Sequence, residues 1–131
     1  MRREAMGQGA FAERLHRMMV VRTRAFYEIA RDGTHGAEVM HFACPEAHEA
    51  KARFFGRQRE LIHDFFEQGR DLGCFEIQDP LATTHAWLHA HQSFAPPLLF
   101  QQSEEQALRS LKDLDDLLLQ GLLPRSESQE C

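Results

Sequence analysis

Between Phe65 and Pro80 the chain ends one helix and begins another: Phe65-Phe66-Glu67-Gln68-Gly69-Arg70-Asp71-Leu72-Gly73-Cys74-Phe75-Glu76-Ile77-Gln78-Asp79-Pro80. Gly73 suits the left-handed position that closes a helix, because it has no Cβ to clash there. Asp79 can accept the free first-turn N–H groups of the next helix, and Pro80 tolerates a first position that needs no N–H. Between the two signals only Phe75 to Ile77 reads as extended chain. A long helix that turns this quickly into another leaves room only for packed helices with short connections. No segment sustains period-two alternation, so the expected fold is all-α.

The same punctuation divides the chain into about five helices. The first runs from about residue 10 to Arg31 and stops at Asp32-Gly33. A short one spans about 34–43 before Cys44-Pro45, since proline disfavours helical geometry in the residue ahead of it. A long one covers about 46–72. The next opens at Pro80 and is kinked or ended near Phe94 by Pro96-Pro97. The last is announced by Ser103-Glu104-Glu105-Gln106, a capping box, and closes at Gly121. A chain of 131 residues makes one domain, 1–131, with residues 1–9 and 124–131 expected to fray.

Charge and composition exclude several roles. The net charge is −5, and only two of the fifteen basic residues are lysines. The densest basic stretch, Arg14, Arg17, Arg22 and Arg24, shares its helix with Glu13 and Glu28. Duplex binding needs clustered cations to neutralise phosphates, so no DNA contact is expected from this chain itself. No apolar run approaches the ~20 residues that span a bilayer, and Met1-Arg2-Arg3-Glu4-Ala5 lacks a secretory apolar core. Cys44, Cys74 and Cys131 lie too far apart in sequence to suggest a disulfide framework or a zinc cluster. A cytoplasmic protein without a membrane partner is expected.

Helical projection gathers Phe54, Phe55, Leu61, Ile62, Phe65 and Phe66 on one arc of the long helix. The last helix gathers Ala107, Leu108, Leu111, Leu114, Leu118 and Leu122. The helix after Pro80 is apolar on two sides, Leu81 with Leu88 and Trp87 with Phe94, so it needs two partners. It is therefore central or shared with a second subunit, and the Leu-rich last helix favours sharing. A homodimer contact is accordingly expected at Trp87, Phe94 and Leu108, continuing through Leu111, Leu114, Asp115 and Leu118.

Polar residues interrupt these stripes. Arg22 lies among Leu15, Met18, Met19, Phe26 and Ile29, and Gln58 lies at the centre of the long helix's arc. His85, His89 and Gln92 share a face with Leu81 and Leu88, while Asp115 is level with Leu111 and Leu118. Buried polar groups must find partners. A pocket lined by Phe and Met with a few convergent polar groups is how small-molecule sites are built. Its candidate residues are Met18, Arg22, Phe26, Phe54 and Gln58, with Leu61, Phe65, His85 and His89. Arg22 would hold a carboxylate or phosphate of a mostly apolar effector, and Gln58 or a histidine would orient it. Alternatively, Arg22 pairs with an internal acid such as Asp115, and the histidines are satisfied across a dimer contact.

Eight histidines raise a metal alternative. His63-x-x-x-Glu67 followed by His85-x-x-x-His89 resembles the ligand order of hemerythrin-like helical bundles. With Gln58 as zero, the apolar arc runs from about −60° to +80°, while His63 and Glu67 fall near about 140° and 180°. That pair faces away from the core, and the later His-x-x-x-x-Asp element is missing, since Leu108 precedes Asp113. Glu38-x-x-His41 and Glu60-x-x-His63 fit a di-iron pattern but are split by Cys44-Pro45. A single metal on His85 and His89 is the runner-up reading, and no cofactor is expected. Phosphate-binding glycine loops, Gly-x-Ser-x-Gly elbows and Cys-x-x-Cys pairs are all absent, so a non-enzymatic role is expected.

One family carries a similar order of signals. The residues concerned are Ile29-Ala30-Arg31-Asp32-Gly33, Arg57-Gln58-Arg59-Glu60-Leu61-Ile62, and Gln68-Gly69-Arg70-Asp71-Leu72-Gly73. They continue through Phe75, Asp79-Pro80, Ala82, Ala86 and Leu88 to Leu111–Leu118 and Gly121-Leu122. This succession, over about residues 10 to 123, resembles the C-terminal ligand-binding domain of TetR-family transcriptional regulators. The resemblance implies an antiparallel bundle whose earlier helices surround an effector cavity. It also implies that the last two helices form a four-helix bundle with the same pair of a second subunit. No helix-turn-helix segment precedes the first helix, so DNA is expected to be reached only through a domain this sequence does not contain. The function the resemblance implies is effector sensing coupled to dimer geometry.

Overall fold

The computed structural model describes residues 2–31 and 45–122, except for the side chains of residues 2–9, 45–48 and 51. These residues form four α-helices: α1 (Arg2–Arg31), α2 (Pro45–Asp71), α3 (Pro80–Ala90) and α4 (Glu104–Leu122). Two 3₁₀ turns, Gln92–Phe94 and Leu98–Gln101, join α3 to α4. No strand occurs among the described residues, and no helix there is long and apolar enough to cross a membrane. The helix expected over about 34–43, and the tail expected to fray over 124–131, lie outside the described residues.

Local signals set the element ends. Gly73 has φ +79, the left-handed closure its missing Cβ allows. Cys74 N–H then donates to Gly69 O at 2.8 Å, satisfying a carbonyl that the helix leaves free. Asp79 caps α3 by accepting from Leu81 N and Ala82 N at 3.1 and 3.3 Å. Ser103 and Gln106 close a reciprocal capping box, each side chain accepting the other's backbone N–H. One expected end was different: α1 extends back to Arg2 rather than fraying before residue 10. Ala, Glu, Met and Gln are good helix formers, and they outweigh the roughly 1 kcal/mol that each of Gly7 and Gly9 costs.

Packing joins the helices in two pairs, α1 with α4 and α2 with α3. The α1–α4 pair is antiparallel: Arg31 meets Glu104 at 3.0 Å, and fifteen residues earlier His16 meets Asp115 at 2.6 Å. Phe66 of α2 and Trp87 of α3 make an edge contact at 5.9 Å between ring centroids. Where the two pairs meet, Phe11 touches Phe65 and Phe26 touches Phe54, so α1 and α2 are antiparallel as well. The buried stripe of α1 is Phe11, Leu15, Met19 and Phe26, at helical spacing. Tyr27 adds an anchor, its hydroxyl lying 2.9 Å from Leu99 O and 2.8 Å from Gln102 O. That contact fixes the segment after α3 against α1.

Four of the residues expected at a subunit contact, Trp87, Phe94, Leu111 and Asp115, are buried within this chain. On α4 the buried line is Ala107, Leu111, Asp115 and Leu119, and it faces α1 of the same chain. Leu111 and Asp115 have no exposed surface, and Trp87 and Phe94 are buried too. Leu108, Leu114 and Leu118 are only half-buried, at the edges of this line. α3 is likewise one-faced: it buries Pro80, Thr84 and Trp87 and leaves Leu81 exposed.

Candidate ligand site

The sparse contact between α1 and α2 leaves a groove of about 540 Å³ between them. Met18, Val21 and Ala25 line it from α1, and Phe54, Leu61 and Phe65 from α2. Gln58 lies in its wall, with Arg14 and Arg17 at the rim. A second cavity, of about 630 Å³, opens between α2, α3 and the segment that follows α3. Phe55, Arg59, His85 and His89 line it, together with Leu88 and Gln92. One residue belongs to both spaces: Arg22.

Arg22 is only 5% exposed. Its guanidinium carbon stands 5.3 Å from the Phe26 ring centroid and 5.5 Å from that of Phe55. Nε and Nη1 are buried without a hydrogen-bond partner, and no described acid pairs with the group. Burial lowers the Arg22 pKa from the ordinary arginine range to about 10, because the charged form has lost its water. Beside it, the Gln58 amide oxygen is also buried and unpartnered. The site thus presents unsatisfied donors and an unsatisfied acceptor within a largely apolar surround.

Asp115 does not serve Arg22. Its two carboxylate oxygens are taken by His16 Nδ1 and His91 Nε2, each at 2.6 Å. His91 Nδ1 lies 2.6 Å from Trp87 O. A carbonyl only accepts, so Nδ1 carries hydrogen and a further proton must lie between Nε2 and Asp115. Asp115, expected at a subunit contact, is therefore a core residue joining α1, α4 and the end of α3.

Six expected site residues, Met18, Arg22, Phe54, Gln58, Leu61 and Phe65, line the α1–α2 groove. Phe26 lines neither space; it is buried and supports Arg22 by stacking. His85 and His89 lie across Arg22 in the second cavity and are exposed rather than buried. His91, unremarked in the sequence, is the buried histidine of that stretch. Its signal was present: it extends the Pro80, Thr84, Trp87 line by one more turn. Arg59 was also missed, although it stands one turn beyond Phe55. Arg14, Val21 and Ala25 were legible as three- and four-residue steps from Met18.

For a metal, the described residues bring together one trio, His63, Asp64 and Glu67, with ligand atoms within 4.8 Å of one another. Asp64 and Glu67 are exposed on the outer side of α2, as the helical projection places that face. His85 and His89 are not part of it. They share their cavity with Arg22 and Arg59, a setting that repels a cation and suits an anion. Comparison with family models, with curated proteins and with solved structures finds no match to this chain.

Proposed function

We propose that this chain is the ligand-sensing and dimerisation domain of a TetR-like transcriptional regulator, responding to a small, mostly apolar anion held at Arg22. The observation that carries the proposal is a buried guanidinium at the junction of two cavities, with Nε and Nη1 unpaired among the described residues. A cation stripped of water gains most from a ligand that brings the missing charge, and charge-assisted hydrogen bonds are the strong ones. Entry of that ligand between α1 and α2 would act on the interface where the two helix pairs touch least. In an intact regulator, a ligand that binds one arrangement of these pairs better would shift DNA-binding heads through the domain to which they are attached.

Dimerisation would use the outer side of α4, where Leu117 is exposed beside half-buried Leu114 and Leu118. Native mass spectrometry of the purified chain tests both parts. The expected result is a dimer carrying an organic adduct, with the adduct lost and the dimer kept in Arg22→Ala. A monomer carrying iron or zinc would overturn the proposal in favour of the metal reading at His85 and His89.

A further inference from the structure

We infer that the two cavities form one site for a two-part ligand, an anionic amphiphile. Its acidic head lies among Arg22, Arg59, His85 and His89, and its apolar body lies in the groove walled by Val21, Phe54 and Leu61. The inference rests on the ligand-sensing reading and adds the chemical class of the ligand and the direction in which it lies.

The chemistry of the walls divides at Arg22. On the α3 side the polar groups are a guanidinium, two imidazoles and an amide, from Arg59, His85, His89 and Gln92. On the α1–α2 side the wall between the helices is Met18, Val21, Ala25, Phe54, Leu61 and Phe65, interrupted by Gln58. Arg14 and Arg17 also border the groove, but both are exposed and keep their water. Only Arg22 among these three has already lost its own hydration before a partner arrives.

Geometry at Arg22 fits a junction. Nε–H and the Nη1 hydrogens leave a planar guanidinium on different edges, and both are unpaired here. The aromatic rings of Phe26 and Phe55 support the group without using these donors. An anion that paired with either donor would stand at the wall the two cavities share, with room for its substituent in the groove. Each space lies in the range of about 300–1,000 Å³ usual for small-molecule sites. The groove is also where large apolar side chains are left open: Val21 is 62% and Leu61 55% exposed, on facing helices. Exposed apolar surface of this kind marks a place that something apolar covers.

The test is calorimetric titration of the full chain with butyrate, hexanoate, octanoate and decanoate, alongside the matching alkyl phosphates and uncharged alkanols. The expected result is affinity rising about three- to fourfold per added methylene, as burial of each CH₂ requires. Alkanols of equal length should bind far more weakly. Leu61→Asp should flatten the length dependence, whereas Leu72→Asp, the same change at an exposed site just past the end of α2, should leave it intact. Arg59→Met should reduce the advantage of acid over alkanol while keeping the slope with length. The tighter of the two anion series identifies the head as carboxylate or phosphate. Short and long acids binding equally through Arg22, with Leu61→Asp silent, would overturn the two-part site and leave the sensing proposal standing. No Arg22-dependent binding by any anion would overturn both.

Discussion

Arg22 is held on terms that neutral water would not accept. Cation–π contact with Phe26 and Phe55 returns on the order of 2 kcal/mol for a desolvated group. Removing an ion from water costs several kcal/mol, so the balance is unfavourable until an anion arrives. The depressed pKa expresses the same imbalance. Above about pH 10, up to the ordinary arginine range, the unfolded chain binds more protons at this residue than the folded one, so its contribution makes stability rise with pH there. Below about 10 the penalty is constant and fully present. Arg22→Met keeps the packing and removes the charge, and should stabilise the ligand-free chain by about 1–3 kcal/mol while abolishing anion binding. It should also remove the alkaline rise. A lower melting temperature for this variant would mean that the guanidinium is already paired in the free protein.

At the scale of elements, the α2–α3 junction depends on one close approach. A Cβ on Gly69 would lie 2.5 Å from Phe75 Cδ2 and 2.9 Å from Cε2, where the ring folds back across the helix end. Phe75 in turn contacts Phe11, Phe65 and Phe66, so it has little freedom to retreat. Gly69→Ala should therefore destabilise the fold by about 1–3 kcal/mol, although alanine is the better helix former. Urea denaturation measures it, and a neutral or stabilising effect would show that Phe75 can repack. Signals of this reach were readable without coordinates. Gly73, Asp79 and Ser103 act on backbone groups within four residues, and the sequence contains everything they touch. The facing of α4 was not readable in the same way. Its leucines at 108, 111, 114 and 118 fit more than one orientation, and only contact with α1 selects the line through Ala107, Leu111, Asp115 and Leu119. The two sides of α3 differ for a related reason: Leu88 packs against the core while Leu81 stays exposed, which depends on where α2 lies.

Across the whole molecule, Asp115 ties the α1–α4 pair to the end of α3. It reaches His16 on α1 and His91 just beyond α3, while itself standing on α4. Nothing local predicts those partners, which lie 99 and 24 residues away. For the same reason the sequence suggested a pocket at Arg22 but could not show that Asp115 was already engaged. Asp115→Asn keeps the shape and removes the charge, leaving two imidazoles facing a neutral amide. The expected cost is about 3 kcal/mol, read as a lower urea midpoint at unchanged slope. A loss well under 1 kcal/mol would show that the helix pairs are held by apolar packing alone.

The chain also carries an internal optical reporter. Trp87, its one tryptophan, is buried with an unpartnered indole N–H and stands 4.5 Å, centroid to centroid, from the His91 ring. Imidazole in contact with indole modulates its emission, so the fluorescence of the unlabelled protein reads how the His91 ring sits against Trp87. The same helix carries His85 and His89 on the wall of the head cavity. A ligand that moves α3 would therefore change both the colour and the intensity of that single emitter, with no dye attached.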